Sequence, residues 1–184
     1  KNNEGRAHLG FTYSLDESHE TGKLYLHSGL TFSKILEEWF GQIDWSKMLL
    51  EKGYYAISRS TLYPEDKIIS YFEHLQTYYD NFMSKNKNCS YFGEKPKKIF
   101  NVLNKLPSFA SSKKISSVIE TEERIVEMIY FRNLLTKKLK SSKVKIITSC
   151  KVLNVFKENN GFSVITKNAK NEEKNFRSNI LINC

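Results

Sequence analysis

Between Pro64 and Phe82 the apolar residues keep one spacing: Ile68, Ile69, Phe72, Leu75, Tyr78, Tyr79 and Phe82. Steps of three and four residues place them on one broad face of a helix, and a face that wide must be covered. Pro64 suits the opening of that helix, and Glu65 and Asp66 complement its positive end. The aromatic stripe reads as core packing rather than as ligand contacts. The rest of the chain can supply the cover. Its 184 residues are 40% hydrophobic and 13% aromatic, enough for one domain or parts of two and incompatible with wholesale disorder.

A second helix is expected after Asp16 or Ser18, either of which can cap it. Its apolar positions are Leu24, Phe32, Ile35, Leu36, Trp39 and Phe40, with a bend at Ser28-Gly29. "GYYAISRS", opened by Gly53, predicts a strand, and "MSKNKNCSYFGEKP" predicts a loop. "PKKIFNVLNKLPSF" predicts a short amphipathic helix ending near Pro107. "ISSVIETEERIVEM" reads as two β-rich pieces around a charged turn, a hairpin or a crossing strand. "YFRNLLTKKLKSS" predicts a helix with Phe131, Leu134, Leu135 and Leu139 inward and a Lys-rich last turn.

The last forty residues predict three short strands, "VKIIT", "KVLNVFK" and "FSVITK". "ENNG" supplies a tight turn between the last two, because Asn and Gly tolerate positive φ. "NAKNEEKN" is a second polar turn, and "NILINC" reads as a strand buried on both faces of a parallel-type sheet. There is no internal repeat and no low-complexity linker.

The formal net charge is +9, but the lysines are scattered and no nucleic-acid-binding pattern accompanies them, so nucleic acid is not an expected partner. No apolar run approaches the roughly 20 residues of a membrane helix. No apolar core follows Lys1, so the opening does not read as a signal peptide. A cytoplasmic chain without a membrane partner is expected. Cys89, Cys150 and Cys184 are widely spaced, with no CxxC pair, and read as reduced thiols rather than metal ligands. His19, His27 and His74 read as lone surface or core histidines. Neither a Ser-His-acid set nor a carboxylate pair stands out, so the sequence points to no catalytic residue. Tyr13, Tyr55 and Arg59 are of types suited to a cavity for a carboxylate or amine.

The sharpest string is "KNNEGRAHLGF". Arg6 and His8 alternate in it, so an extended backbone would put both on one face. Gly5 and Gly10 flank them, with Asn3 just before.

This string and the block from Glu120 to Cys184 resemble the middle of FAD-dependent oxidoreductases of the D-amino-acid oxidase and glycine oxidase superfamily. There a substrate domain interrupts a dinucleotide-binding sheet, and the chain returns through a helix, a meander and a buried strand. "YFRNLLTKKLK", "VKIITSCKVLNVFKENNGFSVITK" and "NILINC" follow that order, and "GYYAIS" resembles the first strand of the substrate domain. The resemblance implies an α/β fold, α+β in the insertion. Residues 1–50 would be the flavin loop and a helix of the cofactor domain, 51–118 a substrate-domain segment, and 119–184 the return to the cofactor domain.

The same resemblance implies FAD as cofactor and hydride transfer from a small amine, amino acid or hydroxy acid. It places Asn3, Gly5, Arg6, His8 and Gly10 along the flavin, and gives the backbone of Val152 to the adenine. The family's GxGxxG turn is absent, and its C-terminal segment has no counterpart. The chain is therefore expected to be an internal piece that neither holds FAD nor turns over alone. The alternative from composition is a non-enzymatic basic α/β binding module.

Overall fold

The computed structural model describes residues 5–183. They divide into two units, one reaching to Leu139 and one beginning at Lys140. The architecture is α+β, with helices and two separate antiparallel sheets.

The elements of the first unit are β1 (Arg6–Ala7), a 3-10 turn (Phe11–Tyr13), α1 (Glu20–Phe40), α2 (Trp45–Met48), β2 (Leu49–Ser58), α3 (Glu65–Lys85), β3 (Phe100–Val102), β4 (Ile115–Val126) and α4 (Met128–Ser141). β4 is the central strand. β2 runs antiparallel along one edge, while β1 and β3 share the other in tandem. Thr121 lies opposite both Gly53 and Phe100, and Arg124 opposite both Lys52 and Ala7.

The expected turn in "ETEER" is instead the middle of this twelve-residue strand. Burial alternates along it, and alternation is the strand period. Thr121 and Glu123 are buried, whereas Glu120, Glu122 and Arg124 are only partly covered. Lys52 of β2 reaches across to Glu120 and Glu122, and Glu122 also accepts from Arg124 of its own strand at 3.1 Å. A charge run with partners on the neighbouring strand favours pairing over a turn.

The expected helix at residues 96–109 is also replaced. Phe100–Val102 pairs with β4 as β3, and the fully buried Ile99 is tied by its N–H to Gln76 Oε1 at 2.9 Å. A short isolated helix gains little in water, so tertiary pairing wins over the amphipathic pattern.

α3 buries Ile68, Tyr71, Phe72, Leu75 and Tyr79, close to the expected face. α1 does not follow expectation. It is unbroken through Ser28-Gly29, and its buried face is Gly22, Leu26, Gly29, Leu30, Ser33 and Leu36. Leu24, Phe32, Ile35 and Trp39 are exposed. The small residues decide the face, because they let another segment approach closely: a Cβ on Gly29 would lie 2.8 Å from the His8 carbonyl oxygen. Asp16 and Ser18 both serve the start of α1, accepting from the N–H groups of Thr21 and Glu20 at 3.0 and 3.2 Å. Along α4, Phe131 and Leu134 pack against the core, but Leu135 is exposed and no residue is fully buried.

The second unit is a three-stranded meander of β5 (Cys150–Glu158), β6 (Gly161–Asn168) and β7 (Glu173–Ser178). The Asn159-Asn160 turn is as expected, with Val155 opposite Val164. The third strand differs. Residues 144–148 are not in a strand, and the polar "EKNFRS" pairs with β6 instead, setting Phe176 opposite Val164. Nor do the described residues of "NILINC" form a buried strand: Ile180, Leu181 and Ile182 are exposed. Apolar composition alone makes no strand, since a strand needs a neighbouring strand to pair with, and no described strand pairs with this segment, in which the Ile180 N–H and carbonyl both meet the Ser178 hydroxyl.

Gly161 has φ +145°, and a Cβ there would lie 2.3 Å from the Ser178 carbonyl oxygen. Gly161→Val is therefore expected to destabilise the meander by about 1 kcal/mol or more. Equilibrium denaturation of the variant against the parent chain reads this, and an unchanged midpoint would contradict the geometry.

Candidate functional site

The segment from Gly5 to Phe11 crosses between the sheet and α1. Ala7, Leu9 and Phe11 are buried in the core, while Arg6 before Ala7 and His8 after it are only partly covered. This is the alternation of an extended chain, and it sets the two basic side chains apart from the apolar ones. Phe11 anchors the segment by stacking on Phe72 of α3, with ring centres 4.4 Å apart. Tyr55 and Phe100 meet this pair edge-on.

Gly10 turns the segment. Its φ is +90°, and a Cβ would lie 2.4 Å from the carbonyl oxygen and 2.8 Å from the Cα of Gly22. Its carbonyl accepts from the Tyr71 hydroxyl at 2.9 Å. Gly5 also has positive φ, and the space beside it is taken by Met128 and Val126. Both glycines are thus used by the protein's own packing.

Beneath His8 sits Glu123, which is fully buried. The Leu9 N–H donates to its Oε1 at 2.7 Å, and the Tyr55 hydroxyl donates to its Oε2 at 2.7 Å. His8 Nδ1 is 3.7 Å from Oε2, within ion-pair reach. A buried carboxyl is tolerated only with such partners. Burial, then the Glu123 charge, push the Tyr55 hydroxyl far above the usual tyrosine range, so it stays a donor; Arg6 acts weakly in the opposite sense. Burial and then Glu123 do the same to Tyr91. Three strands and a loop thus converge on one small ionisable cluster: Arg6 from β1, Tyr55 from β2, Glu123 from β4 and Tyr91 after α3.

Glu123 is not among the sequence candidates: a glutamate at an inward strand position breaks the apolar alternation that would mark a buried face. The other candidates lie elsewhere. Arg59 is tied to the Ser112 carbonyl oxygen at 2.9 Å, and Tyr13 faces Tyr25. Val152, on β5 in the second unit, is exposed and paired with Thr166. Asn3 and Cys184 lie outside the described residues. Cys89 and Cys150 are free thiols. No group of three or more metal-ligating side chains occurs among the described residues, and none of their helices is long and apolar enough to cross a membrane. An open cleft of about 740 Å³ between α1 and the end of α3 carries Lys34, Lys85 and Lys87, but its lining is exposed or half-buried and excludes Arg6 and His8.

Two of the histidines read as solitary are a pair. The rings of His19 and His74 lie 4.2 Å apart, joining the start of α1 to α3. Burial, then the neighbouring His19, hold His74 below the ordinary histidine range. Protons therefore bind the unfolded chain more readily at this position. The contribution of His74 to stability is present above about pH 6.5 and is lost as pH falls from there toward the folded-state value. Urea midpoints measured between pH 8 and 5.5 are expected to decline on the acid side, and less steeply in His74→Gln. Parallel profiles for the two proteins would contradict this.

The chain matches no protein-family model, no curated protein and no solved structure.

Proposed function

We propose that this chain is part of a flavin-dependent oxidoreductase acting on a small amine, amino acid or hydroxy acid. One observation carries the reading: the segment presents Arg6 and His8 beside the buried Glu123 and its hydrogen-bonded partner Tyr55, while Ala7, Leu9 and Phe11 pack into the core. Fixed basic groups in a partly dry setting suit the electron-rich end of an isoalloxazine ring. The order α4 followed by an antiparallel meander lends further support. So do the exposed apolar side chains of β5, Val152, Val155 and Phe156, which suit a sheet belonging to a larger fold.

The residues fit such a cofactor in part. Arg6 and His8 have the right chemistry, whereas the space beside Gly5 and Gly10 is closed by the chain's own atoms. Contact with the ring would thus fall to Arg6 and His8. Bound FAD would supply the hydride acceptor. The chain's own part would be orientation, charge placement and exclusion of water by the aromatic wall of Phe11, Tyr55 and Phe72.

Absorption spectroscopy and FAD titration test this. The full-length product of the gene is expected to purify with the visible bands of oxidised flavin or to take up FAD stoichiometrically. The 184-residue chain, which contains no GxGxxG turn, is expected not to. A full-length protein that neither carries nor binds FAD would overturn the reading and favour a basic binding module.

A further inference from the structure

We propose that His19 and His74 form a binding site for a late first-row divalent metal ion of the Zn2+, Ni2+ or Cu2+ class. One imidazole nitrogen from each residue is a ligand, and water completes the coordination. The site lies at the start of α1 and does not depend on the oxidoreductase reading.

The two rings come from different elements and are held by different contacts. His74 is on α3, three residues after Tyr71. His19 precedes α1, with its backbone at φ +60°. Its N–H donates to the Asp16 carbonyl at 3.1 Å, and its own carbonyl accepts from the Lys23 N–H at 3.0 Å. Its ring meets the buried Tyr71 edge-on at 5.3 Å, and Tyr71 is itself tied to the Gly10 carbonyl. The His19 and His74 rings then stand 4.2 Å apart and inclined at 51°, tilted rather than stacked. Imidazoles that share one ion through nitrogens about 2.0–2.1 Å from it have ring centres about 4.5–5 Å apart, so a small side-chain rotation brings the pair to that spacing. Neither ring takes part in a hydrogen bond or an ion pair among the described residues.

The donors select the ion. Neutral imidazole is a good ligand for Zn2+, Cu2+ and Ni2+, whereas Mg2+ and Ca2+ call for oxygen. Both half-buried rings must be neutral to bind, and burial, then the neighbouring His19, favour the neutral form of His74. The charges around the pair are balanced in sign. His19 stands at the positive end of α1, but the Asp16 carboxylate occupies the same end, where it accepts from the Thr21 N–H. Its bonds to Ser18 and Thr21 keep it ionised down to about pH 2. Lys23 opposes a cation, and Glu20, which pairs with Lys23 at 2.9 Å, offsets it. No third protein ligand joins the two histidines among the described residues, so the site is an open one that leaves positions for water.

Calorimetric titration of the chain, without a histidine tag and at about pH 7.5, tests this with Ni2+ as probe and Mg2+ as control. One Ni2+ is expected to bind per chain, and Mg2+ is expected not to bind. Removing an outer partner of a metal site costs about 10–100-fold in affinity, so His19→Gln and His74→Gln are each expected to weaken Ni2+ at least that much. His27→Gln, elsewhere on α1, is expected to bind Ni2+ like the parent chain. Saturating Ni2+ is also expected to raise the urea midpoint of the parent, because the ion bridges the two elements only in the folded chain. Proton NMR of the parent gives a reading that needs no variant to fold: paramagnetic Ni2+ is expected to broaden two of the four histidine ring signals first, those of His19 and His74. No saturable binding of one Ni2+, unweakened binding in either variant, or broadening centred on His8 or His27 would overturn the proposal.

Discussion

Phe72→Ala is expected to lower the stability of the first unit by about 3–5 kcal/mol, the usual cost of removing a fully buried phenyl ring. Phe72 is 1% exposed and stands where four elements meet. It stacks on Phe11 and meets Tyr55 of β2 and Phe100 of β3 edge-on. None of these neighbours can fill the space readily, because each is held by its own contacts. Phe11 is fixed at the end of the candidate segment, and Tyr55 is tied to Glu123. The loss is a large share of the 5–15 kcal/mol that holds a typical domain together. Urea denaturation followed by tryptophan fluorescence reads it, since Trp39 and Trp45 both lie in this unit. A loss below about 1 kcal/mol would mean that α3 does not pack on the sheet as described.

Gly10→Ala is expected to be comparably damaging, by about 3 kcal/mol or more, although it adds a single methyl group. Two costs combine. At φ +90° an L side chain is strained, by roughly 1–2 kcal/mol. The new Cβ would also press on the backbone of Gly22, whose carbonyl oxygen lies 2.4 Å from the ideal position. Overpacking against a helix backbone, which cannot swing aside as a side chain can, adds roughly 1–3 kcal/mol. The Tyr71 hydroxyl bond to the Gly10 carbonyl would be disturbed as well. Near-native stability in this variant would show that the segment does not cross α1 at this point, and the placement of Arg6 and His8 would fall with it.

The parts of the fold legible in the sequence were those where local pattern and tertiary use agree. α3 shows its helical period and its Pro64 start, and the β5–β6 hairpin is written in Asn159, Asn160 and Gly161. The parts that were not legible depend on partners distant in sequence. β3 is a strand because β4 offers it an edge, and the inner face of α1 is set by which glycines another segment must approach. β4 was obscured by its charges, whose partners Lys52 and Glu94 lie far away along the chain. The apolar "NILINC" misled in the opposite direction, because hydrophobicity marks what wants cover and not what has found it. Of the candidate site, Arg6 and His8 were visible as alternating basic residues between glycines. Glu123 was not, since a buried glutamate looks like any other glutamate until its neighbours are known.

Arg6 is proposed to stand beside a flavin, and the reduction potential of the full-length protein with FAD bound reads that contact. A charge-assisted contact is worth about 1.5–3 kcal/mol, and for a two-electron couple about 1.4 kcal/mol corresponds to 30 mV. If the Arg6 guanidinium supports the negative charge that builds on the reduced ring, Arg6→Ala is predicted to lower the potential by roughly 30–60 mV. An unchanged potential with unchanged FAD affinity would contradict the account and leave Arg6 as a structural residue of the segment.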